Sequence, residues 1–396
     1  MKLLFVDNTP SMGGSVHHLA GQVRGLAARG HEMRVIASRP DFYDGILPAG
    51  VPVSTLSWPG FSNVFENAPE IFHARFPGVL GAPFSALAYK KFSAKVRPDF
   101  ARIIREFKPD LIHLNNLNLP NKAFADEAEA QKIPLVVSAL MIRLFSRREL
   151  ELVRQSRLVT CISQAVATQL ARFVSDLPKE RLAVVESALD PSNYAAPRDP
   201  AVREEFGIPA DARLVLSLGR LTPWKGHDVL VDALDGIPDV WFLQAGGEEL
   251  VYRTDIDRKV QKAGLTGRAI FAGVRSDVPR LLGAADVLVH SSKYADPKDG
   301  VVEAFGRVII EGMAAGLPVV ATDAGGATEI LEGSGAGMLV PPGDVDAMHV
   351  AVRAYLDDPE AAERAGEAGR RAAAERFAEA PLAAKLEHLY RNIIAA

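Results

Sequence analysis

Short apolar runs alternate along the chain with stretches whose apolar positions recur every three to four residues, so strands and helices take turns. In the first half the strand candidates are Lys2–Val6, Met33–Ala37, Val51–Leu56, Asp110–Leu114, Pro134–Ala139, Leu158–Ile162 and Leu182–Val185. Between the first two, Val16, Leu19, Ala20, Val23, Leu26 and Ala27 follow helical periodicity, and Gly30 stands where a left-handed cap belongs. Strand, helix, strand in that order implies parallel neighbours, which need a crossover between them. A polar stretch around Asp190–Pro209, with Pro191, Pro197, Pro200 and Pro209, interrupts the series. The alternation then resumes with Arg213–Leu218, Val240–Gln244, Ala269–Ala272, Asp286–His290, Pro318–Ala321 and Gly337–Val340. The pattern predicts an α/β protein with two doubly wound domains, residues 1–192 and 211–378, facing each other across a cleft. Residues 193–210 form the linker, and a last helix within 379–396 is expected to pack back on the first domain.

Composition narrows the function class. At 396 residues, 48% hydrophobic and 24% charged, each half can bury its own core. The net charge of −4 leaves no global field to draw the protein onto nucleic acid. That balance hides an asymmetry: +5 over residues 1–192 and −9 over the rest, so peripheral contact of the first half with an anionic membrane stays open. Cys161 is the single cysteine, which excludes an internal disulfide and fits a reducing compartment. The opening MKLLFV is too short for a signal-peptide core, and Pro48, Pro52, Pro59, Gly50 and Gly60 break the longest uncharged stretch, Ile46–Phe65. A cytoplasmic protein without a membrane span is expected.

The candidate chemistry gathers at two strand ends. Glu303 precedes a short helix ending near Gly316, in the loop after the Asp286–His290 strand, and Glu311 lies on that helix. Ligands of open parallel sheets bind at this edge. The opening turn of such a helix offers unpaired N–H groups and positive partial charge, so Phe305, Gly306 and Arg307 are placed to hold a diphosphate by main chain. Two glutamates eight apart would ordinarily be solvated. Here carboxylates flanking an anion site suit the paired hydroxyls of a sugar nucleotide. After the Arg213–Leu218 strand comes Gly219-Arg220-Leu221-Thr222-Pro223-Trp224-Lys225-Gly226, at the same sheet edge. Arg220 can fork onto phosphate oxygens and Lys225 adds a point charge, together neutralising a departing diphosphate.

With these residues in view, the sequence resembles the retaining glycosyltransferases of family 4 (glycosyl transferases group 1), which have the GT-B fold of two Rossmann-like domains. The resemblance rests on Glu303 with Glu311, on Arg220 with Lys225-Gly226, and on Gly13-Gly14 in SMGGSVHHLAGQVRGLAARGH. GGATEI at Gly325–Ile330 and LVPPGD at Leu339–Asp344 also match in order and spacing. It implies a hexose transfer from a nucleoside-diphosphate sugar, such as a UDP- or GDP-sugar, to a hydroxyl acceptor that is a glycan, a lipid-linked saccharide or a small molecule. It implies retention of configuration, with no cofactor and no metal. Glu311 would bind the ribose, Glu303 the hexose, Arg220 and Lys225 the diphosphate, and main chain near Val274 and Arg275 the base. Gly13 and Gly14 would open space beside the reacting sugar. His113 and Asn115 fall on the donor-sugar or acceptor side; Asn115 stands where the family often has a second His, and it can hydrogen-bond but not carry a proton. Ser187-Ala188-Leu189-Asp190 replaces the usual Asn-Gly near the domain junction.

Other signals have milder readings. Asp255-Ile256-Asp257 lies among Arg253, Arg258 and Lys259, and Asp344-Val345-Asp346 reads as a helix cap, so neither is taken as a metal site. His17 and His18 are adjacent on a helix and point about 100° apart. The stretch Trp58–Phe107 holds eight of the eighteen Phe with Lys90, Lys91, Lys95, Arg97, Arg102 and Arg105, either an acceptor or membrane-facing wall or plain helix packing. Arg143, Arg147 and Arg148 pose the same choice. A sugar-nucleotide epimerase or phosphorylase on the same fold, or a non-catalytic sugar-nucleotide sensor, remains an alternative.

Overall fold

The computed structural model describes residues 1–56, 81–195, 199–294, 296, 298 and 300–395, with only the backbone given for 81–88. Phe65, Phe72 and Phe76 of the phenylalanine-rich stretch lie outside the described residues.

The first domain is built on β1 (Lys2–Asp7), β2 (Glu32–Ala37), β3 (Val53–Ser54), β4 (Leu111–Leu114), β5 (Leu135–Ala139), β6 (Leu158–Cys161) and β7 (Leu182–Val184). The second carries β8 (Arg213–Leu218), β9 (Val240–Ala245), β10 (Ala269–Phe271), β11 (Val287–His290), β12 (Val319–Thr322) and β13 (Gly337–Val340). The sheets run β3-β2-β1-β4-β5-β6-β7 and β10-β9-β8-β11-β12-β13, with every pairing parallel. Helices cover both faces, which is why β4, β5, β11 and β12 are buried at every position rather than at alternate ones. This is the GT-B architecture of two Rossmann-like domains.

Strand order reverses between β1 and β4 in one sheet and between β8 and β11 in the other. A doubly wound sheet opens a crevice at such a point, because the connections on either side leave for opposite faces. The loops after β8 and β11 are the two singled out from the sequence.

The chain crosses between domains twice, and the crossings touch. Helix Pro359–Arg376 ends at Phe377, whose carbonyl accepts from Leu189 N at 2.9 Å, and the chain then returns as helix Glu379–Ala395. That helix lies on helix Gly14–Ala28, joining Leu382, Ala383, Leu386 and Tyr390 to Leu3, Phe5, Val16 and Leu19 in one core. Arg24 Nε donates to Glu379 Oε1 at 2.8 Å along the seam. The domains also meet directly. Glu329 accepts from the backbone of Gln164 and Ala165 at 2.7 and 2.6 Å, at the start of helix Gln164–Ala171. Ile142 pairs with Val302 in a single antiparallel bridge.

Of the phenylalanine-rich stretch, the described part packs inward: Phe92 and Phe100 are buried against Phe124, with ring centroids 6.4 and 4.8 Å away. The basic side chains Lys90, Lys91, Lys95, Arg102 and Arg105 of helix Gly81–Phe107 stay exposed.

Tyr390 anchors the returning helix through its hydroxyl, 2.5 Å from His113 Nδ1, while His113 Nε2 lies 2.8 Å from Ser138 Oγ. Burial, with His18 adding to it, lowers the His113 pKa to about 3, so the ring is neutral and takes the tyrosine proton as acceptor. Tyr390→Phe should therefore strand a buried acceptor and cost about 1–2 kcal/mol, read as a lower urea midpoint with an unchanged slope.

Candidate functional site

The site is assembled by the β8 and β11 loops. After β8, Gly219 N donates to Ala245 O at 2.9 Å and Gln244 Nε2 donates to Gly219 O at 2.7 Å, fixing the exit of the strand. The loop then presses on the one after β11. Ser291 Oγ donates to Lys225 O at 2.9 Å, and Lys293 N to Trp224 O at 2.9 Å. Gly226 makes this possible: its φ is +69°, and a Cβ there would lie 1.9 Å from Ser291 O. The outcome is that Lys225 Nζ sits 2.5 Å from Glu303 Oε2, seventy-eight residues away in sequence.

His290, the last residue of β11, adds its Nε2 at 3.0 Å to the same oxygen. Burial pushes the Glu303 carboxyl up, but the Lys225 ammonium and the His290 hydrogen bond outweigh it and hold the group well below the usual carboxylate range. From below, Gly325 and Gly326 support the segment. Gly326 N donates to Glu303 O at 3.2 Å, and a Cβ on Gly325, whose φ is +58°, would come within 2.0 Å of that carbonyl. The glycine pair of GGATEI is thus required by the close approach of two backbones.

Gly306 caps helix Arg307–Ala315 in the left-handed region, and its carbonyl takes Ile309 N at 2.9 Å, while the N–H groups of Arg307 and Val308 come before any helix carbonyl that could accept them. Phe305 is buried edge-on against Phe377, 6.1 Å between centroids, which holds that turn in place. One turn along, Glu311 is buried and takes the Tyr194 hydroxyl at 3.2 Å, with Arg307 Nε 2.9 Å away. Burial raises its pKa against the opposing pull of Arg307 and Tyr194. Arg307 turns its guanidinium toward the first domain, donating to Ser187 Oγ at 3.0 Å and Ala188 O at 2.7 Å. The junction sequence noted above is therefore where this arginine docks.

Across the cleft, Gly13 and Gly14 open helix Gly14–Ala28, and a Cβ on either would meet nothing within 4 Å. His17 on that helix lies near enough to Arg307 to feel it: burial first, then Arg307 and Arg24, lower its pKa to about 4. Arg307, the first residue of helix Arg307–Ala315, thus lies within electrostatic reach of helix Gly14–Ala28. Arg220 is exposed and forms no ion pair with a described residue. Val274 is 82% exposed and lies against Gly247, since a Cβ there would be 3.8 Å from Val274 Cγ2, on the same sheet edge as Gly219.

Several candidates are placed otherwise than expected. His113 does not face the cleft; it sits mid-strand in β4, paired to Phe5 and Val136 on either side, under the returning helix. Asn115, two residues on and so on the same face, is buried with its Nδ2 held by Asp7 Oδ1 at 2.9 Å and Ser15 O at 3.1 Å. The Arg275 guanidinium is spent on Glu205 and Asp277, at 2.6 and 2.8 Å. Arg143 pairs with Glu149 at 2.6 Å, and the exposed Arg147 with Glu151 at 3.3 Å. As the sequence reading has them, Asp255 and Asp257 pair with Arg258 and Arg253, and Asp344 caps helix Val345–Asp357. The residues missed in the sequence are His290 and Tyr194. Only the position of His290, one strand end before the glutamate loop, carried a signal.

Removing Lys225 should expose what it offsets. Lys225→Met leaves a partly buried carboxylate whose folded pKa rises above its unfolded value, so the penalty is present at high pH and fades as pH falls. A loss of about 3–5 kcal/mol at pH 8, shrinking by pH 5, is expected from urea unfolding at both values.

Comparison with known proteins follows the same division. Residues 12–193 match the model described as Glycosyltransferase Family 4, and residues 199–372 the one described as Glycosyl transferases group 1. The lipopolysaccharide core biosynthesis mannosyltransferase LpsB of Rhizobium meliloti is 30% identical over 185 residues, 44% of this chain and 50% of that protein. This match, like that to a second Rhizobium meliloti glycosyltransferase, LpsE, spans about half the relative's length. Glycogen synthase of Mycobacterium tuberculosis is 28% identical over 379 residues, 91% of this chain and 85% of that one. Among solved structures, Anabaena Alr3699/HepE in complex with UDP and glucose superposes with a TM-score of 0.77 at 25% identity, covering 98% of each chain. Sucrose-phosphate synthase from Thermosynechococcus elongatus shares the fold at a TM-score of 0.77 and 22% identity, covering all of both chains. Two domain models matched in order, on two sheets with one switch point each, place this chain among the family 4, group 1 glycosyltransferases.

Proposed function

We propose that the protein transfers a hexose from a nucleoside-diphosphate sugar to a hydroxyl acceptor, with retention of anomeric configuration and no metal ion in the scheme. The observation that carries the reading is the partly buried Glu303 carboxylate, gripped by Lys225 and His290 on one oxygen beside the opening turn of helix Arg307–Ala315. The pyrophosphate would lie on that turn, with Arg220 and Lys225 supplying the remaining positive charge. Glu303 would take a hexose hydroxyl and Glu311 the ribose hydroxyls. As the bond from the anomeric carbon to the diphosphate breaks, the acceptor oxygen bonds to that carbon on the same face, and its proton passes to the departing phosphate oxygen. Open space at Gly13 and Gly14 would admit the acceptor.

The named relatives belong to lipopolysaccharide core biosynthesis and glycogen synthesis, which favours a saccharide hydroxyl as acceptor, glycan or lipid-linked. No helix among the described residues is long and apolar enough to cross a membrane, so contact of the basic face of helix Gly81–Phe107 with anionic lipid would be peripheral.

A thermal-shift panel of UDP- and GDP-sugars identifies the donor, because a ligand that binds only the folded state raises the melting temperature. With that donor, Glu303→Ala should lower turnover by about a hundredfold while free nucleoside diphosphate binds nearly as before. Glu311→Ala should instead weaken nucleoside diphosphate binding about tenfold, as measured by titration calorimetry. Gly13→Leu should keep the wild-type melting temperature yet lose transfer, since its side chain would enter the space left for the reacting groups.

A further inference from the structure

Glu303 Oε2 receives two donors of different character. Lys225 Nζ, at 2.5 Å, is the tip of a flexible side chain on the β8 loop, the loop that also presents Arg220. His290 Nε2, at 3.0 Å, belongs to a ring that is 3% exposed at the end of a central strand. Its Nδ1 is buried with no hydrogen-bond partner. An unpaired lone pair is tolerated in a protein interior more readily than an unpaired N–H. The ring is therefore assigned the proton on Nε2, where it donates to Glu303, with Ser292 Oγ 3.3 Å from the same nitrogen. Among the described residues none donates to Glu303 Oε1, so that oxygen remains available to a ligand.

A diphosphate on the opening turn of helix Arg307–Ala315 would compete with Glu303 for Lys225. The ammonium can follow it, because its stem lies along Gly219, with Cε 3.7 Å from where a Cβ would sit. The His290 ring, packed into the strand end, cannot. Resting on the nucleotide-sugar reading above, we infer that His290 is a positioning residue for Glu303. It keeps Oε2 occupied when Lys225 turns to the diphosphate, and so presents Oε1 to a hydroxyl of the donor hexose.

The test separates sugar recognition from diphosphate recognition. UDP with UDP-glucose, and GDP with GDP-mannose, are titrated calorimetrically into the wild type, His290→Ala and His290→Gln, and nucleoside diphosphate release is followed in each. Gln is chosen because its side-chain N–H reaches about as far as Nε2. For the pair the wild type binds, His290→Ala should lose about tenfold in sugar-nucleotide affinity and in kcat, with diphosphate affinity held within about twofold. His290→Gln should recover most of both. In a Glu303→Ala background, His290→Ala should change neither by more than about twofold, since the two residues act through one interaction.

Wild-type sugar-nucleotide affinity and kcat in His290→Ala would overturn the assignment. An equal loss of diphosphate and sugar-nucleotide affinity would also overturn it, by showing general damage to the site. So would a Gln variant no better than Ala. If the wild type binds neither donor while folded, the nucleotide-sugar reading itself fails, an outcome distinct from failure of the histidine alone.

Discussion

A partly buried ion pair between Lys225 and Glu303 is the constraint around which the second domain is arranged. Such pairs add little to stability, because removing both charges from water costs about as much as their attraction returns. Their use is in holding charge ready. The pair needs the β8 and β11 ends side by side, a glycine at 226 so the loops can meet, and glycines at 325 and 326 so the segment bearing Glu303 is supported from beneath. Each of these is a backbone requirement, and together they place a carboxylate, an ammonium and a helix N-terminus at one crevice.

The first domain contributes by facing this crevice with its own switch point. Arg307, at the start of helix Arg307–Ala315, ties that helix to Ser187 and Ala188 and lies within electrostatic reach of His17 on helix Gly14–Ala28. Val302, the residue before Glu303, pairs with Ile142 of the first domain. Glu329, a few residues past the supporting glycines, receives two N–H groups from the first domain's Gln164–Ala171 helix. The elements around Glu303 are thus held from both domains.

Most of the fold was legible in the sequence because parallel strands buried on both faces are continuous apolar runs, whose ends were read to within a few residues. The Glu303, Arg220 and Lys225 clusters were legible for a related reason: the end of a central strand is where a parallel sheet opens. Side-chain direction was less accessible. Asn115 follows β4 just as the productive loops follow β8 and β11, and its amide is bound to Asp7 and to Ser15 beside the glycine pair, whereas His113 sits within the strand on the face claimed by the returning helix, which only the tertiary structure reveals. Arg275 was read for its main chain alone, and its guanidinium is bound to Asp277 and to Glu205, seventy residues earlier. His290 was passed over because a histidine inside an apolar strand reads as core. It is core on one side and a hydrogen-bond donor to the site on the other.

The central claim is that the opening turn of helix Arg307–Ala315, between Glu303 and Glu311, grips a pyrophosphate. A crystal structure of the protein with the nucleoside-diphosphate sugar that stabilises it tests this directly. The account predicts phosphate oxygens within hydrogen-bond reach of the first-turn N–H groups and of Arg220 or Lys225, ribose hydroxyls on Glu311 and hexose hydroxyls on Glu303. A nucleotide bound elsewhere, with the Lys225–Glu303 pair and that turn untouched, would contradict it.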